Sequence, residues 1–291
     1  MTVRRTLPQR KRSLIGAWCF VDHYGPDDVL ATGGMQVPPH PHTGLSTVSW
    51  LFSGRVEHRD SVGTHAMVRP GELNLMTAGR GISHSERSTA DTRVLHGVQL
   101  WLALPERARF IDPRFDHYIP QVVAGDGWQA QVFLGSLLGS TSTVATHSPL
   151  LGAEIRLEPC STLTLNLDAD FEHGLLLDSG EVRIDGQALP SDHLGYVPTG
   201  TPQVSLTATG SDTRLIVIGG QPLGERIVMW WNFIGRTHED VETYRQRWQR
   251  EINAAKGEAL PVHPWYGLPS GDPEGPLLAP PLPGVRIRPR S

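Results

Sequence analysis

Two short ligand pairs constrain this chain most: His40-Pro41-His42 and, forty-odd residues on, His84-Ser85-Glu86. In an extended strand, residues i and i+2 project to the same face. Each pair therefore offers two donors side by side only if its segment is a strand. Together they supply three imidazoles and one carboxylate, a set suited to a divalent transition metal such as iron, manganese, nickel, copper or zinc. The stretch between the pairs alternates apolar residues with turns, as adjacent strands of one small barrel would.

The rest of the chain fits that reading. Glycine (31) and proline (24) are scattered among short apolar runs, the pattern of many short strands and tight turns. Strands are expected over 46–52, 72–76, 94–102, 132–134, 154–157, 162–167 and 214–218. Ser53-Gly54, Pro70-Gly71, Asp126-Gly127, Ser179-Gly180 and Asp185-Gly186 mark turns. Ser53-Gly54-Arg55-Val56 and Ser179-Gly180-Glu181-Val182 make two similar passes, each after an apolar strand, and imply two related barrel halves. One helix is expected over 238–252, capped by Thr237 with Glu239 and Asp240 in its first turn. Val241, Tyr244, Arg245 and Trp248 share one of its faces. The segment 257–291 is rich in proline and glycine. It is expected to add little to the core, lying free or extended along a surface, with Trp265 and Tyr266 as anchors.

Bulk properties narrow the function. A net charge of −4 and a pI near 6.3 argue against a broad nucleic-acid face. No stretch reads as a membrane span or a secretory signal, so a cytoplasmic location is expected. Cys19 and Cys160 read as two small buried residues rather than a disulfide framework. No phosphate loop or Gly-x-Ser-x-Gly nucleophile elbow occurs. His58 and His65 fall on the hairpin after the first pair and read as pocket-mouth or exposed residues. His23 precedes a turn at Tyr24-Gly25-Pro26. Gln99 reads as packing or as a hydrogen-bond partner of the centre. His96 and the other histidines have no partner at ligand spacing and receive no role.

The longer strings carry a family resemblance. Gly34 followed after five residues by His40-Pro41-His42, and Gly81 three residues before His84, resemble the two cupin signatures. Thr47 stands where many cupins place a glutamate ligand, and Glu86 supplies an acid from the second signature instead. Asp22-His23-Tyr24-Gly25-Pro26, Thr77-Ala78-Gly79-Arg80-Gly81-Ile82-Ser83-His84-Ser85-Glu86, Gly97-Val98-Gln99-Leu100-Trp101 and Gly219-Gly220-Gln221-Pro222 resemble the pirin family. The resemblance implies an all-β bicupin: two face-to-face cupin barrels of jelly-roll type with a C-terminal helix. It implies an N-terminal metal-binding domain over 1–125 and a metal-free C-terminal domain over 126–256. The chain departs from the family pattern in starting almost at the first family strand and in carrying the tail.

By the same resemblance, His40, His42, His84 and Glu86 hold one divalent metal, with Fe(II) favoured over Mn, Ni, Cu or Zn. Some bacterial members cleave quercetin as 2,3-dioxygenases, and animal members act as nuclear regulatory cofactors. The favoured expectation is therefore a dioxygenase taking dioxygen and a small flavonol- or enediol-type aromatic, with Glu86 as catalytic base. The alternative is an iron-switched regulatory protein with a protein partner. Neither expectation includes direct nucleic-acid or membrane binding.

Overall fold

Alternating side chains between closely spaced turns build two sheet pairs, one in each half of the chain. The computed structural model describes residues 1–191, 193–254 and 264–291. In the first half a six-stranded sheet runs in the order Val3–Leu7, Trp18–Asp28, Val94–Ala103, Leu45–Ser53, Leu73–Thr77, Arg114–Tyr118. It faces a four-stranded sheet in the order Gln36–His42, Ile82–Ser88, Val56–Asp60, His65–Val68. The second half repeats the plan. Its six-stranded sheet begins with Val122–Gly125 and Trp128–Leu134, and its four-stranded sheet begins with Thr162–Asn166. The strand pairs within these sheets are antiparallel. This is the expected all-β, two-barrel architecture with a C-terminal helix.

The two large sheets pack against each other. Trp18, Trp50, Val98 and Leu100 of the first half share one core with Phe133, Leu150, Ile216 and Ile218 of the second. Trp50 stacks on Phe133 with ring centroids 4.6 Å apart. Full burial of such a side chain contributes about 1.5–3 kcal/mol. A buried indole N–H needs an acceptor, and Trp50 Nε1 donates to Glu154 Oε2 at 2.7 Å. Arg156 and Arg214 compensate that buried carboxylate from 2.6 and 3.5 Å. The second barrel has its own apolar filling. Leu163 and Leu165 point inward from a strand whose alternate residues are exposed.

The helix spans His238–Ala254, and Thr237 Oγ1 accepts from the Asp240 N–H at 3.1 Å. Its buried Val241, Tyr244, Trp248 and Ile252 pack on Val228 and Phe233 of the short hairpin before it.

Three expectations are corrected. The turn at Tyr24-Gly25-Pro26 is an irregularity inside one eleven-residue strand, Trp18–Asp28, whose pairing register shifts between Tyr24 and Asp27. Gly25, at φ +82°, accommodates the shift without ending the strand. Cys19 is buried, but Cys160 is exposed on a turn at φ +62°, because the chain reverses there between two strands.

The third correction concerns the tail. Its start, with Pro261 and His263, lies outside the described residues; in 264–291 Trp265 and Tyr266 do anchor the chain along a surface, as one of the two alternatives had it, but the tail adds to the core where little was expected. Tyr266 (2% exposed) and Ala279 (5%) join the helix core. Arg87 grips Asp272 through both carboxylate oxygens at 2.6 and 2.8 Å. The tail has no apolar period because it crosses an existing surface residue by residue, held by its aromatics and its backbone groups.

Candidate metal centre

The four-stranded sheet of the first half brings the ligand pairs together. Strand Ile82–Ser88 lies between Gln36–His42 and Val56–Asp60, and the registers place His40 opposite His84 and His58 opposite Glu86. The register shifts between Val37 and His40, where the chain carries Pro38 and Pro39, which have no N–H to give a ladder. Beyond that shift His40 and His42 both point inward. The turn ahead of His84 also fits its glycines. Gly79 takes φ +53°, and a Cβ on Gly81 would come within 2.7 Å of the Trp265 ring.

His40, His42 and His84 are 6, 1 and 1% exposed. Each contributes a ring nitrogen to one cluster whose atoms lie within 4.8 Å of one another. His42 Nε2 and His84 Nε2 are 3.1 Å apart. His40 Nδ1 lies 2.9 Å from the Pro38 carbonyl oxygen. With its proton held there, the ring keeps Nε2 as a lone pair. Burial pushes the His40 imidazole down to about 4. Burial, then the neighbouring imidazoles, push His42 and His84 well below the ordinary value. At neutral pH the three rings are uncharged donors, inclined at 54–73° to one another with centroids 4.4–5.0 Å apart. A divalent ion fits this arrangement, since it needs neutral imidazoles and resolves their crowded lone pairs.

Glu86 joins the centre from the side. Its carboxylate groups with His84 and His58, while His40 and His42 belong to the other cluster; His84 is common to both. Ser49 Oγ lies 3.3 Å from Glu86 Oε1 and 2.9 Å from Gln99 Oε1, its one proton shared between them, and Gln99 also hydrogen-bonds Glu86. Gln99 is thus a partner of the centre rather than mere packing. Burial raises the Glu86 carboxyl, against the opposing effects of His58, Ser49 and Gln99. Thr47, in the position of the usual cupin glutamate, is buried at 3% exposure. Trp101 sets its ring edge-on to His42, with centroids 5.2 Å apart.

His58 and Asp60 are parts of the centre that the sequence reading missed. His58 is buried (3% exposed), with Nδ1 3.3 Å from His84 Nδ1 and Nε2 3.3 Å from Asp60 Oδ2. Asp60 Oδ1 in turn accepts from the N–H groups of Val62 and Thr64. The order Asp60, His58, His84 is a carboxylate–imidazole chain that fixes the orientation of the His84 ring. The signal was present: Val56, His58 and Asp60 share one parity on a strand whose buried face alternates. His65, by contrast, is exposed and pairs with Glu57 at 2.6 Å. The cavities elsewhere are lined by other residues; one of about 510 Å³ lies between Pro8, Trp230 and Arg288.

The family described as Pirin matches residues 1–102, and the Pirin C-terminal cupin domain matches residues 152–254. A Caulobacter vibrioides pirin-like protein is 35% identical over 85% of this chain and 88% of its own length. The chain belongs to the pirin family. A Pseudomonas aeruginosa relative, named provisionally as quercetin 2,3-dioxygenase PA1205, is 40% identical over 91% of this chain and 87% of its own. The crystal structure of a quercetin 2,3-dioxygenase from Acinetobacter baumannii superposes with a TM-score of 0.90. It is 35% identical, and the match covers 99% of this chain and 92% of that one. The Escherichia coli pirin YhhW, solved in complex with nickel(II), shares the fold at a TM-score of 0.60 and 23% identity, over 76% of this chain and 91% of its own. Among the described residues no helix is long and apolar enough to cross a membrane.

Proposed function

We propose that this pirin is a metal-dependent dioxygenase that oxygenates a flavonol- or enediol-type aromatic such as quercetin. In this reading His40, His42, His84 and Glu86 hold one Fe(II). The observation that carries it is the buried triad of neutral imidazoles with a carboxylate of raised proton affinity at its edge. The quercetin 2,3-dioxygenase names of relatives at 35–40% identity point to the same chemistry.

Bound there, ferrous iron would supply the coordination site and the electrons that dioxygen chemistry needs. The chain's own residues do the rest. The imidazoles stay unprotonated at neutral pH because they are buried. Glu86, on swinging off the metal, takes the proton from the substrate hydroxyl. Ser49 and Gln99 orient it through their hydrogen bonds. Trp101, edge-on to His42, covers one side of the imidazole triad.

The low exposure of the three imidazoles, 6% at most, is the observation that favours the regulatory alternative, an iron-switched binding protein without turnover. Oxygen uptake by anaerobically iron-loaded protein, measured across a panel of flavonols and other enediols, separates the two. Substrate-dependent uptake supports the enzyme. Iron bound with no uptake on any of them supports the regulatory protein.

A further inference from the structure

A second set of metal-type donors meets at the seam between the two barrels. His23 comes from strand Trp18–Asp28, His96 from its neighbour Val94–Ala103, and Asp178 from strand Glu172–Ser179 of the other half. His23 Nε2 and His96 Nε2 lie 2.8 and 2.7 Å from the same oxygen, Asp178 Oδ1, and 3.3 Å from each other. The three side chains are 3, 12 and 0% exposed. Arg214 Nη1 donates to the other carboxylate oxygen at 3.3 Å and holds the carboxylate plane. The Phe52 ring stands edge-on to both imidazoles, at centroid distances of 6.3 and 4.9 Å.

We propose that His23, His96 and Asp178 form a second divalent-metal site, filled by zinc, that clasps the two barrels together. Two imidazole nitrogens and one carboxylate oxygen are a donor set zinc accepts, with a fourth tetrahedral position left for water. Zinc bonds of about 2.0–2.2 Å in a tetrahedron hold donors roughly 3.3 Å apart. The two imidazole nitrogens already stand at that separation, and the carboxylate oxygen reaches it by moving back about half an ångström. Without metal, each Nε2 carries a proton and donates to Oδ1. On binding, the rings present Nε2 as a lone pair and carry the proton on Nδ1. His23 Nδ1 is buried with no hydrogen-bond partner, so the zinc-bound tautomer leaves that N–H unpaired, a cost that the metal bonds must exceed. The site shares no residue with the centre around His84, and so does not depend on the proposed dioxygenase activity.

The test is zinc titration of chelator-stripped full-length protein against a competing chromophoric chelator. It is done in a His84→Ala background to weaken the first centre. The expected result is one tightly bound zinc per chain, accompanied by a rise in Tm. Adding Asp178→Asn, which keeps a carbonyl oxygen to accept both imidazole protons, should weaken that binding by more than about 100-fold and abolish the rise. His96→Gln should do the same. Zinc bound equally well with and without Asp178→Asn and His96→Gln overturns the site, whether that zinc lies at the first centre or elsewhere. So does failure of the His84→Ala protein to bind zinc. A wild-type metal lost with Asp178→Asn but kept with His84→Ala supports this site while contradicting the first one.

Discussion

His84 is where two groups of donors meet, and its two ring nitrogens face different neighbours. Nε2 looks toward His42 and Nδ1 toward His58, which Asp60 holds from behind. Removing the backing imidazole leaves the ligands in place but lets the His84 ring turn. His58→Ala should therefore weaken metal binding by about 10–100-fold, as metal titration would show, with the far-ultraviolet dichroism unchanged. Full-strength binding would remove His58 from the centre. Protons act on the same rings. An unfolded imidazole titrates near 6.5, while burial brings His40 down to about 4. Between those values the unfolded chain binds the extra proton, so metal-free protein should lose stability as pH falls through that window. Replacing the ring removes its share of the loss. Urea midpoints at pH 7 and pH 5 should differ more for wild type than for His40→Gln; equal differences would contradict the neutral, buried ring.

At the scale of elements, legibility followed locality. The ligand strands could be read because i, i+2 spacing is a property of one short segment, and strand Leu45–Ser53 because its apolar run is bounded by Ser53-Gly54. The helix could be read from its cap and its apolar stripe. Strand Trp18–Asp28 was hidden because Gly25-Pro26, a turn signal by composition, is absorbed as an irregularity by the neighbouring strand. The tail was hidden because its order comes from partners far away in sequence. Glu251 of the helix accepts the N–H groups of Trp265 and Tyr266, and the Trp265 indole donates to the Arg80 carbonyl. Tyr266 also donates to the Tyr244 carbonyl. These contacts reverse the expectation that the tail is dispensable. Tyr266→Ala should cost about 3 kcal/mol of unfolding free energy, by analogy with other large aromatic truncations. An unchanged denaturation midpoint would mean that the tail does not pack on the helix in solution.

For the molecule as a whole, the two-barrel plan was legible from its repeated strand–turn passes, but the seam was not. Trp50 donating to Glu154 and the pair His23 and His96 closing on Asp178 join residues far apart in the chain, 104 positions for the first and 155 for His23. Nothing in the spacing of either histidine announces that partner. Of the centre, the meeting of His40, His42 and His84 with Glu86 beside His84 was legible, whereas Asp60 and His58, which reach it through other side chains, were not. His84 links the imidazole triad to Glu86, so losing it should disable metal holding and proton transfer together. Glu86→Gln is the milder probe. It should keep part of its iron yet lose most turnover, because the amide cannot take the hydroxyl proton. The most direct measurement is oxygen consumption with quercetin by anaerobically iron-loaded wild type, His84→Ala and Glu86→Gln, with iron content determined on the same samples. Wild type should show quercetin-dependent uptake, His84→Ala almost no iron and no uptake, and Glu86→Gln residual iron without matching uptake. Equal uptake in all three proteins, or none in iron-replete wild type, would contradict the proposed dioxygenase.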